Sequence, residues 1–87
     1  MKRRVIWESP AVEQLLDLAR TDREGARRVV AAIRRFAAGD GGDVKKLQGR
    51  PGEWRLRVGD WRVIFAADTT LDAIDVLALL NRRDAYD

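Results

Sequence analysis

Twelve residues, Trp54-Arg55-Leu56-Arg57-Val58-Gly59-Asp60-Trp61-Arg62-Val63-Ile64-Phe65, constrain the fold of this chain more than any other stretch. They predict two short strands around a two-residue Gly59-Asp60 turn. In that register Val58 faces Trp61, Arg57 faces Arg62, Leu56 faces Val63, Arg55 faces Ile64 and Trp54 faces Phe65. Side chains alternate between the two faces of a sheet. One face therefore carries Trp54, Leu56, Val58, Trp61, Val63 and Phe65, and the other carries Arg55, Arg57 and Arg62. Like charges directly across a ladder are destabilising. A chain that sets Arg57 against Arg62 accepts that cost. Two readings share this face: an anionic ligand, or arginines that solvate an open sheet. The tryptophans lie opposite the arginines and read as core.

The flanking sequence supplies the second layer. Residues 3–7 alternate as a first strand. Ser9-Pro10 reads as a helix start, with serine at the N-cap and proline at the first helical position. Val12, Leu15, Leu16 and Ala19 follow at helical spacing as a buried stripe. Thr21 and Glu24 have the spacing of a capping box. The helix they open carries a stripe of Ala26, Val29, Val30, Ile33, Phe36 and Ala37 and is stopped by Gly39. The short joint between the helices predicts an antiparallel helix hairpin. Val44 to Leu47 reads as a short strand, and Arg50-Pro51-Gly52-Glu53 as a type II turn. Ala73 to Leu80 is nearly all apolar, as a central strand covered on both sides would be. The expectation is an α+β fold in a single domain over residues 1–87. Its helix hairpin covers one face of a mostly antiparallel sheet of four or five strands.

Composition narrows the chemistry. The chain has no cysteine and no histidine. Disulfides, thiolate catalysis, the usual zinc ligand sets and serine–histidine triads are excluded. No metal or other cofactor is expected. The Asp40-Gly41-Gly42-Asp43 loop lacks the ordered ligands of a calcium loop. No apolar run approaches the ~20 residues of a membrane span, and the basic start is not followed by a secretory leader. A cytoplasmic location without membrane contact is expected. Net charge is +3. From Lys45 to Arg62 six basic residues stand against two acids, Glu53 and Asp60. A patch of that kind suits phosphate backbones, and an acidic protein equally well.

The chain ends Asn81-Arg82-Arg83-Asp84-Ala85-Tyr86-Asp87. A last strand beside the hairpin would deliver Arg82, Arg83 and Tyr86 to the rim of the arginine face. Arginine is a permanent cation whose planar fork binds phosphate oxygens in pairs. A tyrosine hydroxyl, with an ordinary pKa of ~10, becomes a better base beside guanidinium groups. Such a set allows RNA cleavage without histidine or metal, because the ribose 2′-hydroxyl is itself the nucleophile. Each part also has a plain reading: Tyr86 as a packing residue, and Arg82 and Arg83 as solvated charges. Arg27, Arg28, Arg34 and Arg35 read first as a solvated helix face and second as a further nucleic-acid contact.

Three segments together, Val44-Lys45-Lys46-Leu47-Gln48-Gly49, the 54–65 hairpin and Asn81 to Tyr86, resemble the RelE/ParE superfamily of bacterial toxin–antitoxin modules, its RelE branch in particular. The resemblance spans almost the whole chain. It implies a ribosome-dependent endonuclease that cuts mRNA in the ribosomal A site, inhibits translation and is neutralised in a complex with a cognate antitoxin. It also implies roles. Arg62 stabilises the phosphate, and Arg55 and Arg57, with Lys45 and Lys46, bind RNA. Arg83, or Arg82 one step earlier, is the acid or charge stabiliser, and Tyr86 orients or activates the 2′-hydroxyl. Many members carry histidine where this chain has Asn81. A ParE-like toxin that poisons DNA gyrase without nuclease activity is the alternative, and an inactive antitoxin-binding relative is a third.

Overall fold

A computed structural model describes residues 2–81. The elements run β1 (Arg4–Trp7), α1 (Ser9–Thr21), α2 (Arg23–Ala37), β2 (Asp43–Lys46), β3 (Glu53–Val58), β4 (Trp61–Asp68) and β5 (Ala73–Asn81). The strands form one sheet in the order β1-β5-β4-β3-β2. Only β1 against β5 is parallel; the other pairs are antiparallel. The architecture is the expected α+β arrangement. The hairpin register is the expected one at all five predicted pairs, including Arg57 opposite Arg62. Gly59 has φ +60° while Asp60 keeps a negative φ, the pattern of a type II′ turn, which follows the twist of the flanking strands.

Both helix starts differ from expectation. α1 begins one residue early, with Glu8 rather than Ser9 in the N-cap position and no side-chain cap. The Glu8 N–H still belongs to the sheet, donating to Val76 O at 2.9 Å, while Glu8 O accepts the first helical bond from Val12 N at 3.0 Å. The switch from strand to helix therefore falls on Glu8. α2 is capped by Asp22, not by a Thr21–Glu24 box: the Asp22 carboxylate accepts from Gly25 N at 2.8 Å. Thr21 is the last residue of α1, and its hydroxyl donates to Leu18 O at 3.3 Å. A Cβ on Gly25 would collide with the Asp22 carboxylate, so the glycine is what lets the cap close.

The helix hairpin lies on the face that carries Leu56, Val63, Phe65, Ile74, Val76 and Leu79. Ala26, Val29, Ile33 and Ala37 of α2 complete the core, with Trp54, Val58 and Trp61 packed against it. The α1 stripe is rotated from the predicted one. Ala11 (0 %) and Leu18 (5 %) are buried, whereas Val12 (38 %) and Leu16 (56 %) are exposed. The apolar run of β5 is also not covered on both sides, since Leu77, Ala78 and Leu80 stay half-buried. A register shift at Ile64/Phe65 interrupts the β4–β5 ladder beside them. Among the described residues no helix is long and apolar enough to cross a membrane.

Candidate functional site

Alternation determines where the arginines go. Leu56 (2 %) and Val63 (0 %) are held in the core, so Arg55, Arg57 and Arg62 must leave the sheet on the opposite face. Lys45 joins them from β2, in register with Arg55. Lys46 pairs with Trp54 and so alternates to the other side, yet still borders the same groove. That groove, about 400 Å³, is lined by Lys45, Lys46, Arg55, Arg57 and Arg62, with Leu47 and Gln48 at its end. The structure thus brings together all five strand residues expected at the site. Arg82, Arg83 and Tyr86, the C-terminal part of the expected site, lie outside the described residues.

The cations are not equivalent. Arg55 Nη1 donates to Asp43 O at 3.1 Å and to Asp43 Oδ1 at 3.4 Å. Its side chain is only 14 % exposed. Asp43 is itself in register with Arg57. Nothing in the sequence singles out this carboxylate; it orients Arg55 and offsets part of the repulsion within the cluster. Across the ladder, Arg57 and Arg62 have Cα atoms roughly 4.5–5.5 Å apart. Ile64 lies on the same face, between Arg55 and Ala78 in register, and is buried to 4 % exposure. The groove is a cluster of cationic donors, Arg55 among them anchored by Asp43, beside the buried Ile64. A phosphodiester would relieve the mutual repulsion of the arginines and accept their paired N–H groups.

β5 brings the chain to this corner. Leu80 pairs with Arg62 and Asn81 with Trp61. The strand needs support there, because β1 covers β5 only from Ala73 to Val76. Beyond that point α1 takes over: Gln14 Oε1 accepts the Leu79 N–H at 2.7 Å. Gln14 is a residue that sequence reasoning misses. Its signal is a polar side chain on the same helical face as buried Ala11 and Leu18. At the start of the same edge, Glu8 shares a hydrogen bond with Asp75. That bond, the like charge of Asp75 and then burial raise the Glu8 carboxyl above its ordinary value of 4.5.

The chain matches the family model described as the ParE toxin of type II toxin–antitoxin systems, parDE, over residues 5–86. Among solved structures it is similar to a chain of the archaeal RelE–RelB complex from Pyrococcus horikoshii, with 27% identity and a TM-score of 0.76 over 98% of this chain and 100% of that one. A YoeB/ParE toxin from Agrobacterium tumefaciens gives 17% identity and a TM-score of 0.75 over 90% and 96% of the two chains. A chain of the RelBE2 toxin–antitoxin complex from Mycobacterium tuberculosis gives 24% and 0.66 over 97% and 95%. No curated protein matches at a significant level.

Proposed function

Because the chain belongs to the ParE toxin family of type II toxin–antitoxin systems, within the RelE/ParE superfamily, we propose that it is a cytoplasmic toxin that cuts mRNA on the ribosome. A cognate antitoxin holds it inactive as a hetero-oligomer. The observation that carries this reading is the convergence of Arg55, Arg57 and Arg62 with Lys45 in one groove. In the reaction the ribose 2′-oxygen attacks the adjacent phosphorus and the bond to the next 5′-oxygen breaks. A 2′,3′-cyclic phosphate and a 5′-hydroxyl result; the proton lost by the 2′-hydroxyl is balanced by one delivered to the leaving oxygen. Arg62 stabilises the crowded phosphate, while Arg55, Arg57, Lys45 and Lys46 hold the flanking backbone. Tyr86 would receive the 2′ proton, with Arg83 or Arg82 beside the leaving group. The ribosome supplies the in-line geometry that so small a groove does not impose.

The family description itself names ParE and so favours a second reading, a gyrase poison without nuclease activity. Induction in growing cells separates the two. The nuclease reading expects mRNA cut within coding regions soon after induction and DNA left intact. Gyrase-linked DNA breaks with continuing translation overturn it. Arg62→Ala is expected to restore growth at equal protein level.

A further inference from the structure

Asp43 stands on the arginine face. It is in register with Arg57, and Lys45, two residues on, is in register with Arg55. Alternation puts all of these side chains on one side of the sheet. For a carboxylate that only balances charge, the nearest cation is Arg57, directly across the ladder. The contacts run instead along the diagonal. Arg55 Nη1 donates to two acceptors of the same residue, Asp43 O at 3.1 Å and Asp43 Oδ1 at 3.4 Å. A guanidinium carries five N–H donors in a fixed fork, two on each Nη and one on Nε. With Nη1 turned to Asp43, the Nε and Nη2 edge is the one presented to a phosphate. The anchor is itself braced. The Val44 N–H donates to Gly42 O at 3.1 Å. A Cβ on Gly42 would lie 2.7 Å from Leu56 Cδ1, so the glycine lets β2 start hard against the core.

Resting on the reading of this groove as a phosphodiester site, we propose that Asp43 is a positioning residue. It fixes which edge of Arg55 meets the RNA, and so the register in which the backbone crosses toward Arg62. A lysine could not be held in this way, because an ammonium has no second edge to present. The exposures fit a clamp applied from the rim: the Arg55 side chain is 14 % exposed and that of Asp43 60 %. Two effects of removing the carboxylate separate this role from charge balance. The groove gains net positive charge, so a polyanion binds more tightly. Arg55 then swings about its one remaining bond to the Asp43 carbonyl, and fewer bound strands are aligned for in-line attack. Tighter binding with slower turnover marks a positioning residue. A carboxylate that only balances charge gives tighter binding with turnover unchanged or faster.

The test compares the full-length chain with Asp43→Asn, which keeps an acceptor oxygen, and Asp43→Ala, which does not. In NMR spectra of arginine-labelled protein, rotation of the Arg55 guanidinium is expected to be slow in the wild-type chain and in Asp43→Asn, and averaged in Asp43→Ala. Added oligouridine is expected to shift the Arg55 Nε–H signal of the wild-type chain. Asp43→Ala is expected to bind oligouridine at least as tightly as the wild-type chain, yet to cut mRNA on programmed ribosomes with a kcat lower by roughly tenfold or more. Asp43→Asn is expected to stay within about threefold of the wild-type kcat. The proposal is overturned if Arg55 rotation is already averaged in the wild-type chain, or if oligouridine at millimolar concentration leaves its Nε–H signal unmoved. Equal kcat for Asp43→Ala and the wild-type chain overturns it too. If the wild-type chain cuts no mRNA, the nuclease reading fails, and the Arg55 signals still decide the role of Asp43.

Discussion

The bond from Leu79 N–H to Gln14 Oε1 is where a single side chain does the job of a missing strand. With β1 ending at Trp7, the outer edge of β5 would otherwise leave a part-buried donor without an acceptor. An unmet buried donor costs about 1–3 kcal/mol. Gln14→Leu is expected to lose stability of about that size in urea unfolding, and Gln14→Glu, which keeps an acceptor oxygen, to recover much of it. Equal stability of all three proteins would contradict the role. Glu8 offers a second test at this scale. Its carboxyl titrates above 4.5 in the fold because it shares a hydrogen bond with Asp75 and feels that residue's charge. A raised pKa means the folded chain holds the proton more tightly than the unfolded one. The resulting stability is fully present below 4.5 and is lost as pH rises through the folded value. Glu8→Gln keeps a donor and removes the titration. Relative to the variant, the wild-type chain is expected to lose thermal stability as pH climbs from about 4 to 7. Parallel pH–stability curves would refute the coupling.

At the scale of elements, the hairpin is legible in the sequence alone because strict alternation, a Gly-Asp turn and one burial face all specify the same register. The α2 stripe is legible for a similar reason: a continuous 3.6-residue period over fifteen residues. α1 departs from its predicted stripe at Val12 and Leu16, which are exposed, while Leu15 and Ala19 pack against the core as expected. Its rotation follows from Gln14 meeting Leu79 across a sequence separation of 65, which no local pattern encodes. The α2 cap departs for a local reason. Thr21 and Asp22 compete as caps, and a carboxylate beside a glycine closes more tightly onto the N-terminal N–H groups than a threonine does. Asp22→Ala is therefore expected to cost about 0.5–2 kcal/mol in denaturant unfolding. Thr21→Ala is expected to cost much less; the reverse order would return the cap to Thr21. The strand half of the site is legible for the same reason as the hairpin. Asp43 is not, because a carboxylate in a glycine loop gives no sign that it will reach Arg55.

Across the whole molecule, charge is divided between the two ends of the sheet. One basic groove lies over β2, β3 and β4, and another flanks β1, with the helix hairpin and its core between the sheet and solvent on one side. The first presents guanidinium groups from facing strands, the arrangement suited to a phosphodiester. The second gathers Lys2, Arg3, Arg4, Arg34 and Arg35 beside β1. The central claim is that the arginine groove over β3 and β4 acts on ribonucleotide phosphate. Its most direct test is end-mapping of mRNA after incubation of the purified chain with programmed ribosomes, alongside Arg62→Ala. The wild-type chain is predicted to leave 2′,3′-cyclic phosphate and 5′-hydroxyl ends within the ribosomal A site, and the variant to cut about 100- to 1,000-fold more slowly with an unchanged melting temperature. Intact mRNA with the wild-type chain, or undiminished cutting by Arg62→Ala, would contradict the account.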